Sequence, residues 1–343
     1  MTDAYFVLEI GESFIKLADA KKNGSLLEVA SLGYAPAESA FYKTDSEKNT
    51  SNQANIIEKL VNSSGISKKN VALIIPDSVT YTQIISTPRL SEKELISAIK
   101  YQADQFIPMP IEETNIDIEI LEDNKNEKNI TVLIVAAPKK IIEKVQRLIE
   151  MVGLIPESIE NELSSTARFL SEFTNFFPSN SDNKIIIANF GQESTSLYFF
   201  DPKLSLVKET YNFSVGYNLF LKELQLNTNY DFQRSQEILK SYAPKEKSSY
   251  DITQIITPAL KDFVLEIKRF INLLNEKHRA QISNIYFTNE IFQFPALSYL
   301  TEKLLSLPAK ELNPFSVCKN NPLITSHQNE LSLFISTFGG NLR

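Results

Sequence analysis

Leu8–Leu26, LEIGESFIKLADAKKNGSL, lies over Ala188–Leu206, ANFGQESTSLYFFDPKLSL, without a gap. Glu9 falls on Asn189, Gly11 on Gly191, Leu17 on Leu197, Ser25 on Ser205 and Leu26 on Leu206. Each stretch has the pattern strand, glycine turn, strand, turn, strand, with Ile, Leu, Val and Phe at the apolar positions. A meander that returns about half a chain later points to a duplicated molecule. Any two meanders share an alternating pattern, so this match alone leaves duplication and coincidence both open.

The remainder of each half mixes helix and strand. Val71–Pro76, VALIIP, predicts a short buried strand. Lys139 to Val152 predicts a helix with Ile141, Ile142, Val145, Leu148, Ile149 and Val152 on one face. A second helix is expected over Glu160 to about Thr174, and Phe176 to Asp182 is expected to be a linker. In the second half, Ile255–His278 predicts a long helix with a stripe of Ile256, Leu260, Phe263, Ile267, Phe270, Ile271 and Leu274. Ser283–Phe287 predicts a strand, followed by a helix to about Leu305. The expected architecture is two α/β lobes with a cleft between them.

Asp77 to Ala137 breaks the pattern. Val79–Ser86 predicts a strand, and Ser91-Glu92-Lys93-Glu94 is a capping box that starts a helix. Pro108-Met109-Pro110 ends that helix. Asn115–Leu121, NIDIEIL, alternates as a half-buried strand, and Asn124-Lys125-Asn126 suits a hairpin turn into Ile130–Val135. The segment is expected to form a βαββ subdomain inserted in the first lobe. The expected division is 1–76 with 138–180 for the first lobe, 77–137 for the insert, and 181–343 for the second lobe. The second lobe is expected to carry a helical subdomain over about 226–280.

Composition narrows the function. A chain of 343 residues has room for about two domains, and 43% hydrophobic with 22% charged residues is ordinary for a globular protein. No apolar run approaches the roughly 18–20 residues that span a bilayer, and the start, MTDAYFVLEIGES, has no secretory pattern. A cytoplasmic home is expected. Cys318 is the single cysteine, and His278 and His327 are the two imidazoles, so no transition-metal site is expected. A net charge of −7 argues against a nucleic-acid partner.

Four further stretches carry a resemblance. Gln102–Glu113, QADQFIPMPIEE, resembles a helix end of the PilM-type type IV pilus assembly proteins, actin-like relatives of the division protein FtsA. Thr87–Leu95, TPRLSEKEL, is similar to that family's entry to the same helix. Ile159–Leu170, IENELSSTARFL, resembles its connecting helix, with an acidic residue at Glu160. Phe338–Arg343, FGGNLR, resembles its closing helix. The turns at Gly11 and Gly191 resemble its two phosphate loops. The resemblance spans nearly the whole chain in the family's order. It implies an actin-like fold of two ribonuclease-H-like lobes with the βαββ insert in the first.

The resemblance also implies ATP with Mg²⁺ in the cleft. Its contacts would be Glu9, Gly11, Ser13, Lys16, Glu160, Asn189, Gly191, Ser194, Thr195 and Thr288. Several residues depart from what phosphate and magnesium need. Glu9 stands where the first loop has Asp, and Asn189 where the second has Asp, which removes an anion from the metal's shell. Glu12 adds a negative charge beside the phosphates. Thr288-Asn289 stands where glycines admit the purine. Lost charged contacts of roughly 1.5–3 kcal/mol each take a micromolar binder toward millimolar, so ATP hydrolysis is expected to be absent. Gly11 and Gly191 as plain tight turns, and Lys16 as an exposed strand lysine, remain the competing account.

The implied role is a cytoplasmic scaffold of the pilus machine. Its expected partner is the N-terminal peptide of a PilN-like inner-membrane protein, docked between the first lobe and the insert, with Phe106, Ile107, Pro108 and Met109 flanking the groove. A pilus motor ATPase and self-association are further partners the family implies. The alternatives are an active actin-like ATPase, a membrane tether of the FtsA kind, and a type II secretion component. The stop at Arg343 speaks against the last two, since one needs an amphipathic tail and the other a spanning helix.

Overall fold

A computed structural model describes residues 5–90, 93–99, 107–123, 128–177, 184–244 and 251–343. They fall into two contact units. The first comprises the chain to Ala20, Ala30–Arg168 and Ser336–Arg343; the second comprises Lys21–Val29 and Phe169–Ile335.

In chain order the first part runs β1 (Phe6–Ile10), β2 (Phe14–Asn23), β3 (Leu26–Pro36), α1 (Glu47–Ser63) and β4 (Asn70–Ile75). It continues with β5 (Tyr81–Pro88), the helical turns α2 (93–99), β6 (Thr114–Glu122), β7 (Asn129–Pro138), α3 (Lys139–Met151), β8 (Ile155–Asn161) and α4 (Glu162–Glu172). The second part runs β9 (Lys184–Phe190), β10 (Thr195–Asp201), β11 (Leu206–Phe213), α5 (Tyr217–Asn227), α6 (Phe232–Ser241), α7 (Ile252–His278) and β12 (Ile282–Asn289). It ends with α8 (Ala296–Leu305), β13 (Ala309–Glu311), α9 (Pro322–Ser326) and α10 (Ile335–Gly340).

The first sheet has the order β3-β2-β1-β4-β8, and the second repeats it as β11-β10-β9-β12-β13. In both, the central strand is antiparallel to its hairpin partner and parallel to the crossover strand. The register repeats as well. Glu9 lies opposite Lys16, and Asn189 lies opposite Ser196. A shared offset in two ladders settles the duplication that the sequence match left open. The fold is actin-like, built from two ribonuclease-H-like sheets.

Each sheet has its own core. In the first, Ile57, Leu60 and Val61 of α1 and Val145, Leu148 and Ile149 of α3 join Phe6, Leu8, Leu17, Val71 and Leu73. In the second, α7 buries Ile256, Leu260, Phe263, Ile267, Phe270 and Leu274, as its period demands, against β9, β10 and β12. The inserted sheet has the order β5-β7-β6, and Leu95 and Ile99 of α2 pack on Ile130, Val132 and Ile134. Ser91, Glu92 and the turn at Asn124-Lys125-Asn126 lie outside the described residues.

Four expectations are corrected. Residues 155–161, expected to lead into a helix, form a strand parallel to β4, so Glu160 sits on a strand. The helix starts at Glu162 because the Asn161 side chain accepts the Ser164 N–H at 3.1 Å, as a helix cap does. Phe177, expected in the linker, is buried, with its ring against Phe200 and Tyr286. The hairpin tip and the chain end exchange units. Lys319 pairs with Glu28 at 2.8 Å in the second, and Asn341 bonds both Ala20 N–H and Ala18 O in the first.

Candidate functional site

Parallel strands deliver their carboxyl ends to one edge of a sheet, where ligand-binding loops of such sheets gather. In the first unit, β1, β4 and β8 end at Ile10, Ile75 and Asn161, so Gly11, Asp77 and Glu162 follow at the same edge. Gly11 N–H bonds Phe14 O at 3.0 Å to close the turn. Ser13 contributes its carbonyl, which accepts Ala37 N–H at 2.7 Å.

Beneath that turn lies a charged, buried cluster. Glu9 is 0% exposed and Lys16, one step across the ladder, is 2% exposed; their side chains form an ion pair. Lys16 is therefore not the exposed strand lysine that the competing account requires. Ser336 donates its hydroxyl to the other Glu9 oxygen. Glu162 accepts Asp77 N–H at 3.0 Å, while Asp77 accepts Leu163 N–H at 3.1 Å, a reciprocal lock between two strand ends. Burial, reinforced by the charges of Glu9 and Asp77, pushes the Glu162 carboxyl well above the usual range, and Lys16 only partly opposes this. Tyr42 donates to Ile10 O at 2.6 Å, and burial and then Glu9, Glu12 and Glu162 raise its phenol.

Glu160 does not belong to this cluster. Arg168 grips it with two bonds, of 3.1 and 2.7 Å, and also donates to Gly339 O at 2.9 Å. Glu162, two residues on, is the carboxylate that joins the cluster. The signal was in the sequence: Asn161 two residues after Ile159 is a cap that moves the helix start past Glu160. Asp77, directly after a strand end, had the same legibility, whereas nothing local marks Ser336 or Tyr42.

In the second unit the position matching Glu9 is the neutral Asn189, while the buried Glu290 follows β12 and Glu311 ends β13 at the same edge. The Asn189 amide donates to the Tyr198 hydroxyl at 3.1 Å, and Thr288 faces its carbonyl oxygen at 3.5 Å. Gly191 N–H bonds Ser194 O at 3.0 Å. Thr195 turns its hydroxyl to Val215 O at 2.7 Å. The first amides of α5, on Tyr217 and Asn218, bond the carbonyls of Gly191 and Gln192, each at 2.9 Å. Asn289 holds φ 64° and ψ −121°, a glycine-like conformation.

The first unit also contains a cleft of 320 Å³ between the inserted sheet and β8. Its walls are Asn115-Ile116-Asp117 of β6, Pro156 to Asn161 of β8, and Ile142 and Gln146 of α3. Consecutive residues line it from both strands, whereas side chains on one face of a strand alternate. Val135 and Ala137 of the central β7, the ladder partners of Asp117 and Asn115, line it too, so a face of the inserted sheet forms part of one wall; β6 and β8 are each the last strand of their sheets. The predicted groove residues are elsewhere. Ile107 is buried and packs with Ala136, Tyr81, Met109, Ile111 and Ile116; Met109 is half-buried and Pro108 exposed. Phe106 lies outside the described residues. Among the described residues, no helix is long and apolar enough to cross a membrane, and no group of His, Cys, Asp and Glu has the makings of a metal site.

A family model described as type IV pilus assembly protein PilM matches residues 7–338. The chain belongs to the PilM family. Among solved structures, the chain is similar to a PilM–PilN type IV pilus biogenesis complex, with 19% identity over 99% of this chain and 98% of that one, at a TM-score of 0.86. It is also similar to the ethanolamine utilization protein EutJ from Carboxydothermus hydrogenoformans, with 13% identity over 98% of this chain and 89% of that one, at 0.56. At such identities the likeness concerns the fold, and it agrees with the topology that makes this PilM-family chain actin-like.

Proposed function

We propose that this PilM-family chain is a cytoplasmic scaffold of type IV pilus assembly that docks the N-terminal peptide of a PilN-like inner-membrane protein. The observation that carries this reading is the cleft between the inserted sheet and β8, where β6 and β8 are each the last strand of their sheets. An edge strand presents unpaired backbone donors and acceptors, and an extended peptide satisfies them by adding as a further strand. Ile142 and Ile159 supply apolar wall for its side chains. The neighbouring complex pairs a PilM with a PilN, which names the partner class.

The test is fluorescence anisotropy with a labelled peptide from the cytoplasmic N-terminus of the PilN-type protein of the same organism. Gln146, exposed on α3, lines the cleft, so Gln146→Trp fills it. Peptide binding is expected to be lost while the melting temperature holds. Unchanged affinity in Gln146→Trp sinks the assignment of the cleft.

The nucleotide site belongs to the same proposal, as a degenerate one. A phosphate site needs a cation and free amides, and here Lys16 serves Glu9 while the α5 amides serve Gly191 and Gln192. A magnesium site needs carboxylates, and Asn189 offers an amide already bonded to Tyr198. The groups do not fit Mg-ATP, and titration calorimetry with Mg-ATP is expected to give no heat. Micromolar binding that Lys16→Ala abolishes is the result that restores the ATPase reading, which the two retained glycine turns favour.

A further inference from the structure

We infer that the segment received by the cleft is basic, with an Arg or Lys for each of Asp117 and Glu157. The inference rests on the docking reading above and adds the chemistry of the occupant. Three charged side chains line the cleft, and all are carboxylates: Asp117 on β6, and Glu157 and Glu160 on β8. Glu160 is already neutralised by the two bonds from Arg168. Asp117 and Glu157 have neutral partners. Asp117 accepts its neighbour Ile118 N–H at 2.9 Å, and Glu157 accepts the Asn70 amide.

Among the described residues, no cation meets either of them. They stand on opposite walls, Asp117 on β6 and Glu157 on β8, so a strand laid between them passes both. An extended chain also sheds water from the carboxylates as it docks, and a carboxylate desolvated without a counter-charge opposes binding. An acidic or neutral segment therefore loses what a basic one gains. The positive-inside rule for membrane proteins points the same way, because cytoplasmic segments next to a spanning helix are enriched in Lys and Arg. Charge complementarity here sets which edge-binding segments are admitted, with backbone pairing supplying sequence-independent attraction.

The experiment measures affinity of the same labelled PilN-type peptide for the full chain, for Asp117→Asn/Glu157→Gln, and for Asp117→Lys/Glu157→Lys. Both side chains are exposed, so the variants are expected to fold, and circular dichroism with a melting curve checks this. The neutral pair is expected to weaken binding about 10-fold, and the reversed pair by more. Raising salt from about 0.1 M to about 1 M, which cuts the screening length from about 10 Å to about 3 Å, is expected to weaken the parent and leave the neutral pair nearly unchanged. A peptide with its Arg and Lys replaced by Glu is expected to bind the reversed variant better than the parent.

Equal affinity of all three proteins, with no salt dependence, overturns the charge inference while the cleft stands. A peptide that fails to bind the parent chain at all overturns the docking reading, and this inference falls with it.

Discussion

The two sheets share one ladder and fill it with opposite chemistry. At the same step, the first unit sets Glu9 against Lys16, and the second sets Asn189 against Ser196. All four side chains are buried. At this step neither ladder leaves a charge unmatched. In the first, Glu9 is met by Lys16 and Ser336; in the second, Asn189 meets Tyr198 and Ser196 accepts from Asn212 at 2.8 Å. The lesson is that a buried cross-strand pair is replaced as a unit. A lone change at either position strands a polar group where desolvation is not repaid.

That rule predicts the largest effect. Lys16→Met removes the counter-charge of a carboxylate with no exposed surface and is expected to cost about 3–5 kcal/mol, read as the urea midpoint. Ser196→Ala, at the matching step, is expected to cost no more than about 1.5 kcal/mol. Transplanting the second unit's pair, Glu9→Asn with Lys16→Ser, is expected to be milder than Lys16→Met alone. A coupling of about 1–3 kcal/mol between the two positions supports replacement as a unit. Additive costs would break the comparison.

The turns above the ladders come next. Both are closed by a glycine N–H bonded at 3.0 Å three residues on. They differ in room. A Cβ on Gly11 would lie 2.5 Å from the Phe14 carbonyl oxygen, whereas one on Gly191 would lie 3.0 Å from the Ser194 oxygen. Both obstacles are backbone, so the chain itself must move. Gly11→Ala is expected to cost about 2–3 kcal/mol and Gly191→Ala about 1 kcal/mol, by thermal or urea unfolding. The reverse order would mean that the first turn is the softer one.

Carboxyl protonation gives a third point of comparison. Glu162 keeps its proton in the folded chain to a pH at which the unfolded chain has lost it. Its contribution is full below the ordinary value of 4.5 and falls as pH rises toward the elevated folded value. Glu162→Gln carries the neutral form permanently. It is expected to match the parent near pH 4 to 5 and to exceed it increasingly toward about pH 8, in midpoints measured across that range. A constant difference at every pH would mean that Glu162 is ionised in the folded chain. No such dependence is expected from Asn189→Ala, which replaces a neutral side chain; the second unit's own raised carboxyl is Glu311 at the end of β13, pushed up by burial.

These contrasts show what a single sequence discloses. Glu9, Gly11, Asn189 and Gly191 were legible because they sit inside short, repeated strand-turn-strand patterns. The stripe of α7 was legible because its period is that of a helix. β8 was missed because Pro156, Glu157 and Ser158 give it little apolar alternation; it earns its place by pairing with β4. Glu160 reads as an early helix residue because little apolar alternation marks the strand before it, and the cap at Asn161 starts the helix only after it. Ser336 reaches Glu9 across nearly the whole chain, a contact that no local pattern encodes. Ile107, expected to flank a groove, packs in the core of the insert, because an apolar residue beside a helix end reads the same in either place.

The smallest effect concerns the end of β12. Where a glycine turn would suit the backbone, the chain has Asn289 at φ 64° and ψ −121°. Asparagine tolerates the left-handed helical region, but this ψ lies well outside it, in territory that glycine enters without cost. Holding a side chain there costs on the order of 1–3 kcal/mol. Glycine would relieve that strain and lose roughly 0.5–1 kcal/mol to the greater freedom of the unfolded chain. Asn289→Gly is therefore expected to stabilise the chain by about 1 kcal/mol, seen as a raised urea midpoint at unchanged slope. If it destabilises instead, the Asn289 side chain contributes contacts worth more than the strain, and the residue is part of the second unit's polar edge. The same variant also addresses the proposed degeneracy of the nucleotide site, because it removes the side chain expected to crowd a purine and leaves the Asn189 amide and the Lys16–Glu9 pair in place. A chain that gains stability and still gives no heat with Mg-ATP places the defect in the charged and amide positions of the two ladders, independent of the room at β12.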